Sequence, residues 1–207
     1  MATKTVRPRT LPPEKRRKQI VDAVLQVVSE HGVPDATTAR IAEAAGVSEG
    51  TLYVHFGSRN EMLIAALDQI FLGMLGLVEA STESDPVERL KDIARRHSAL
   101  MSSPRGGFAY PWMEFIAAGP QIGLREAIAE TQRRAFRVLR DIVEEGKAKG
   151  RIRTDVDSDK LTWCWLSFAW AENMGCLMGL DEFMEAKPSY SMLELTLDAA
   201  VQPQGCQ

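Results

Sequence analysis

Cysteine is scarce in this 207-residue chain: Cys164, Cys176 and Cys206 are its three copies, with no CxxC or Cys/His spacing among them. That pattern argues against a disulfide framework or a zinc site. Cys164 and Cys176 sit in an apolar stretch and read as packing residues. Histidine is equally sparse, with His31, His55 and His97 scattered along the chain. There is no G-x-S-x-G, no glycine-rich phosphate loop and no metal-ligand cluster, so neither an enzyme nor a cofactor or metal requirement is expected. Long apolar runs are missing too. The most apolar stretch, Leu161 to Ala171, is about half of the ~20 residues that a membrane span needs, and Lys160 and Glu172 bracket it. Residues 1–18 are polar and lack the apolar core of a secretory leader. The expectation is a cytoplasmic protein with no membrane partner. No internal repeat and no convincing strand are found.

What is present is ordinary for a globular protein: 45% apolar and 26% charged residues, with a formal net charge of −3. The mild net charge hides an asymmetry. Residues 1–18 hold Lys4, Arg7, Arg9, Lys15, Arg16, Arg17 and Lys18 against Glu14 alone, a net +6, so the remainder carries −9. On charge alone, such an arm is either a localised polyanion contact or a soluble tail.

Nearly every segment has helical period, which predicts an all-α fold. Ile20, Val24, Val27 and Val28 mark a helix over 14–31 that Gly32 and Val33-Pro34 end. Thr37 or Thr38 caps a short helix to about Ala45. Gly46-Val47-Ser48 is a tight turn, and a second short helix runs from about Glu49 to Phe56. Ser58 and Glu61 form a capping box that opens a long helix with Leu63, Leu67, Ile70, Phe71, Met74, Leu75 and Val78 on one face. Asp85-Pro86-x-Glu88 starts the next helix, which carries Leu90, Ala94, His97 and Met101 and ends at Pro104-Arg105-Gly106-Gly107. A short aromatic helix at 111–118 is stopped by Gly119-Pro120. Helices at 121–149, 158–180 and 189–201 complete the chain.

The stretch from Thr37 to Leu63, TTARIAEAAGVSEGTLYVHFGSRNEML, has the requirements of a helix-turn-helix. Ala42 is small where two helices touch, Gly46 suits the turn, and Val47 and Leu52 anchor the second helix. That second helix is short and polar outside, as a helix entering the major groove should be. The run Ala45-Gly46-Val47-Ser48, Gly50-Thr51-Leu52-Tyr53, His55-Phe56, with Thr38 and Ile41-Ala42 before it and Ser58-Arg59, Glu61 and Leu63 after it, resembles the TetR family closely. The likeness covers about residues 15–65; beyond that only the helix layout agrees. One departure is Arg59, where the family more often has lysine.

The resemblance implies a DNA-binding domain at 1–60 and a helical regulatory and dimerisation domain at 61–207. It implies that Thr38 and Arg40 touch phosphate or a base edge, and that Ser48, Glu49, Gly50 and Thr51 open the recognition helix. Tyr53, His55 and Arg59 would contact phosphates, His55 being otherwise an inconsequential surface histidine. Glu49 either accepts from a cytosine amino group or only favours the helix dipole. Leu52 and Phe56 read as core. The implied function is a repressor that binds a pseudo-palindromic operator in double-stranded DNA as a homodimer and is released by a small molecule. The alternative is a helix-turn-helix protein controlled by a protein partner, or an activator.

The helix at 158–180 is apolar almost all round and must be buried all round. Trp163, Leu166, Trp170, Met174 and Leu177 share one side; Leu161, Trp165, Phe168 and Glu172 share another. One side would face a second subunit and the other a pocket, and the pattern does not say which. The pocket candidates are His97, Met101, Tyr110, Trp112, Phe115, Phe136, Trp165, Phe168 and Glu172, an aromatic set suited to an apolar or aromatic effector. Each is otherwise ordinary core. Glu172 either recognises a polar or cationic group or pairs with an arginine across a dimer. The helix at 111–118, isolated by Pro111 and Gly119-Pro120, is the expected relay to the helix at 58–80.

Overall fold

The computed structural model describes residues 11–102 and 107–201. Lys4, Arg7 and Arg9 of the basic arm, the Pro104-Arg105-Gly106 stop signal and Cys206 lie outside the described residues. Ten α-helices are present among those described: α1 (Pro13–Asp35), α2 (Thr38–Ala45), α3 (Glu49–His55), α4 (Arg59–Glu79), α5 (Pro86–Met101), α6 (Ala109–Ala118), α7 (Arg125–Ala148), α8 (Ser158–Leu177), α9 (Asp181–Ala186) and α10 (Pro188–Ala200). The only extended pairing among them is an isolated antiparallel bridge between Ile152 and Val201.

Local chemistry explains most of the boundaries. Gly32 takes φ 78°, ψ 165° and breaks the regular path of α1 just before Val33-Pro34. Thr37 is the cap of α2, its side chain accepting from the Arg40 N–H. Asp85 caps α5 by accepting from the N–H groups of Val87 and Glu88, with Pro86 in the first helical turn. Three boundaries differ from the sequence reading. α6 begins at Ala109 rather than Pro111. α7 begins at Arg125 rather than 121, because Gly119–Ile122 forms a 3-10 turn and Gly123 then adopts φ 80°, which an α-helix cannot continue. α8 ends at Leu177, with Gly179 at φ 67° close behind, and the short α9 follows where no separate element was expected.

The chain divides into two compact units, Met1–Ala66 and Leu67–Gln207, the division falling inside α4. In the first unit α1 packs on α2 and α3. Its core contains Ile20, Val24, Val28, Ile41, Leu52, Phe56, Met62 and Leu63, all essentially inaccessible. In the second unit α8 packs against α5, α7 and α10. Leu90 and Ile93 of α5, Leu139 and Ile142 of α7, Leu161, Trp165 and Phe168 of α8, and Leu193 and Leu197 of α10 form one cluster. A buried lysine ties two of these helices: Lys91 Nζ donates to Asp198 at 2.6 Å.

Among the described residues α4 is the one helix long and apolar enough, by length and composition, to cross a membrane, at mean hydropathy 1.7. This corrects the sequence reading, which placed the most apolar stretch in α8. The composition of α4 has a packing explanation. It supplies Met62, Leu63 and Ala66 to one core and Leu67, Ile70, Phe71 and Val78 to the other, while Asp68 stays exposed and paired with Arg134.

Candidate nucleic-acid interface and ligand cavity

The α2–α3 pair is a helix-turn-helix whose turn depends on Gly46. Its φ of 64° is left-handed, and its N–H returns to the carbonyls of Ala42 and Glu43. Ser48 then caps α3: its hydroxyl accepts from the Thr51 N–H and lies 2.9 Å from the Thr51 hydroxyl. A second tie joins the two helices, Thr38 Oγ1 donating to Glu49 Oε2 at 2.6 Å. Glu49 therefore already has a partner within the motif.

Side chains from α1 close the other ends. Gln19 Nε2 donates to the Ala45 carbonyl at 2.7 Å, at the end of α2. Arg17 Nη1 donates to the His55 carbonyl at 2.6 Å, at the end of α3, and its guanidinium lies 3.9 Å over the Phe56 ring. Both satisfy carbonyls that a helix end leaves open. Arg17 was counted with the basic arm; in the structure it braces α3. Arg59 likewise has internal work. Its Nε donates to the Ala36 carbonyl at 2.7 Å and its Nη2 to those of Val33 and Pro34. A lysine has no planar fork to span such carbonyls, which gives the departure from the family pattern a structural reason. Arg59 thus holds the α1–α2 connection, a role that its position in the sequence did not announce. The capping pair after α3 is also slightly displaced: Glu61 N–H donates to Ser58 Oγ, but its carboxylate accepts from Gly57 N–H rather than from Ser58.

These ties leave one face of the motif outward. Arg40, Ser48, Glu49 and Gly50 are exposed, Thr38, Thr51 and His55 are half-buried, and Leu52 and Phe56 are core. Tyr53 is 51% exposed and Val54 79%. Val54 was missed in the sequence, where an apolar residue beside Leu52 reads as packing. An exposed apolar side chain on a recognition helix suits the methyl group of thymine.

The second unit holds a partly open apolar cavity of about 110 Å³. His97 and Met101 of α5, Trp112 of α6 and Trp165 of α8 line it, four of the nine pocket candidates. The others do not. Phe115 and Phe168 are buried in the core, and Tyr110 is 42% exposed. Phe136 packs against Trp163, with ring centroids 5.4 Å apart. Glu172 stands behind the wall, 1% exposed: its Oε2 lies 3.0 Å from His97 Nδ1, and its Oε1 accepts from Ser98 Oγ at 2.7 Å. Its polar partner is thus in its own chain, and the arginine across a dimer is not needed to explain it.

Two features of the cavity escaped the sequence. Ile70, Phe71, Met74 and Leu77 of α4 form part of its wall, so α4 meets the cavity directly as well as through any relay by α6. Asn173 of α8 and Gln132 of α7 also line it, and Asn173 Oδ1 and Gln132 Nε2 are buried without a hydrogen-bond partner. Each such atom costs about 1–3 kcal/mol. The signal for Gln132 was its place on the same stripe of α7 as Ile128, Ala135 and Leu139.

A helix-turn-helix unit followed by a helical unit around an apolar cavity is the build of a bacterial regulatory protein. Residues 20–66 match the model of bacterial regulatory proteins of the tetR family, and residues 83–170 match that of the tetracyclin repressor-like C-terminal domain. The chain belongs to the TetR family, a family of transcriptional regulators and not of enzymes. It is 33% identical over 138 residues to the HTH-type transcriptional regulator BetI of Cronobacter sakazakii, covering 60% of this chain and spanning 63% of that protein. It is 25% identical over 180 residues to the HTH-type transcriptional repressor KstR2 of Mycolicibacterium smegmatis, covering 80% and 83% of the two chains. A TetR transcriptional regulator from Chloroflexus aurantiacus shares the fold at a TM-score of 0.77 and 19% identity, covering 91% of this chain and 97% of the other.

Proposed function

We propose that this chain is a repressor that binds a pseudo-palindromic operator as a homodimer and leaves it when a small apolar or aromatic effector enters the cavity of the second unit. The observation that carries the DNA half is the outward face of the braced motif: Tyr53 and Val54 of α3 and Arg40 of α2 are exposed, while Leu52 and Phe56 are buried. A seven-residue helix reads only a few base pairs, so two copies on a two-fold axis are the natural route to specificity. Apolar side chains left exposed on α8 (Trp163, Trp170, Met174) and α10 (Met192, Leu195) support the second copy as their cover. A shared bundle of α8 and α10 would join the subunits, and the protein would act in the cytoplasm, where its operator lies.

The effector half rests on the cavity. Its walls come from α4, α5, α6, α7 and α8, so a ligand bears on α6 and on α4 at once. Release requires that the ligand bind the DNA-incompetent state better, by about 1–3 kcal/mol for ordinary coupling. The cavity also favours a small effector over control by a protein partner. The test is operator binding by fluorescence anisotropy across a salt series. Affinity should fall steeply, with a log–log slope near −0.9 per neutralised phosphate. A flat salt dependence would refute the reading.

A further inference from the structure

We propose that His97 recognises the effector through Nε2, and that the group it takes is a hydrogen-bond donor, a hydroxyl on an apolar body about one ring in size. The proposal rests on reading the cavity as the effector site. His97 lines the cavity and is 9% exposed. Its Nδ1 is turned back to Glu172 Oε2 at 3.0 Å. The Trp165 and Phe168 rings meet it edge-on, with centroids 6.4 and 5.7 Å away. The two nitrogens of an imidazole point in diverging directions, so Nε2 is aimed away from Glu172. Among the described residues Nε2 has no hydrogen-bond partner. Nor is it one of the side-chain atoms buried without a partner, as Asn173 Oδ1 and Gln132 Nε2 are. Nε2 thus keeps accessible surface, on a side chain that is 11% accessible and lines the cavity.

Glu172 decides what Nε2 offers. Its Oε1 accepts from Ser98 Oγ at 2.7 Å and from Ser189 Oγ at 3.4 Å, and its Oε2 faces Nδ1. An ionised carboxylate only accepts, so the hydrogen between Oε2 and Nδ1 belongs to the ring. Nε2 of the neutral ring is then a lone-pair acceptor. The ligand must bring the second hydrogen. A hydroxyl does so; an ether, a carbonyl or a ring nitrogen does not. Size follows from volume. About 110 Å³ is somewhat less than the ~150 Å³ of an engineered apolar cavity that holds benzene.

Calorimetric titration of the full-length protein with phenol, benzene and pyridine at neutral pH tests this. Phenol should bind about two- to tenfold more tightly than benzene, as one buried hydrogen bond net of water is worth, and more tightly than pyridine, which only accepts. His97→Leu should abolish the preference for phenol over benzene while benzene still binds. Nitrogen-15 NMR of the histidine-labelled parent gives the same answer if that variant does not fold. Only three histidines contribute, and His31 and His55 lie on α1 and α3. Without probe, His97 should show a protonated Nδ1 and a bare Nε2. Phenol should move the Nε2 resonance towards that of a hydrogen-bonded nitrogen, and benzene should not. Benzene binding as well as phenol, pyridine binding best, a preference that survives His97→Leu, or an Nε2 resonance blind to bound phenol would overturn the proposal and leave the cavity as a binding site. Binding of none of the three would overturn both.

Discussion

Oε2 of Glu172 lies 3.0 Å from Nδ1 of His97, two buried groups 75 positions apart in sequence that join α8 to α5. Ser98 donates to the other carboxylate oxygen at 2.7 Å. Ser189 donates to that same oxygen at 3.4 Å, so removing the carboxylate takes a partner from three side chains. Glu172→Ala should therefore lower unfolding free energy by about 3–5 kcal/mol, measured by urea denaturation. Glu172→Gln, which keeps one acceptor, should cost less. Equal stabilities for the three proteins would show that the network contributes nothing.

Arg59 donates to three carbonyls of the α1–α2 connection. Arg59→Ala should cost about 1–3 kcal/mol of stability as well as operator affinity. A variant as stable as the parent, impaired only on DNA, would return Arg59 to the phosphate role that its sequence position implied.

Asp85 shows a pH dependence whose sign can be worked out. Burial alone would raise its pKa, but hydrogen bonds from the Glu88 N–H, the Arg151 guanidinium and the Val87 N–H hold it below the ordinary 3.8. A carboxyl depressed by folding contributes stability above its unfolded pKa and loses it as pH falls through the folded one. Its contribution should be complete above pH 3.8 and be lost progressively as pH falls from there through the lower folded value. Asp85→Ala should cost about 1 kcal/mol at neutral pH and flatten that part of the acid-unfolding profile.

Gly73 faces Phe108 so closely that a Cβ would fall 2.0 Å from the ring, and both residues line the cavity. Gly73→Ala should displace the ring, shrink the cavity and weaken effector response. Trp112→Ala should do the same by removing part of the wall, while operator affinity without effector stays within about twofold, a change of under 1 kcal/mol. If both variants respond to effector like the parent, the effector binds elsewhere.

The helices and their caps were legible because they are local. Gly46 and Asp85, and the cap at Thr37 or Thr38, declare themselves by residue type within one turn of the feature they make. The cavity was legible only in part, because a wall is set by which faces converge. His97, Met101, Trp112 and Trp165 converge on it; Phe115 and Phe168, equally apolar and aromatic, point into solid core. Nothing in periodicity separates those two outcomes. The long-range braces were hidden for the same reason. Arg17 reads as one more charge in a basic run until the fold brings it to the end of α3, 38 positions away.

Selection of bound fragments from genomic DNA by the full-length protein tests the central claim most directly. The account predicts enrichment of a pseudo-palindrome with half-sites about one helical turn apart, roughly 34–36 Å between recognition helices. That enrichment should be lost in Thr51→Ala or Tyr53→Ala proteins that still fold and still sediment as dimers. Selection of no repeated half-site by the parent protein, or of the same site by the α3 variants, would contradict it.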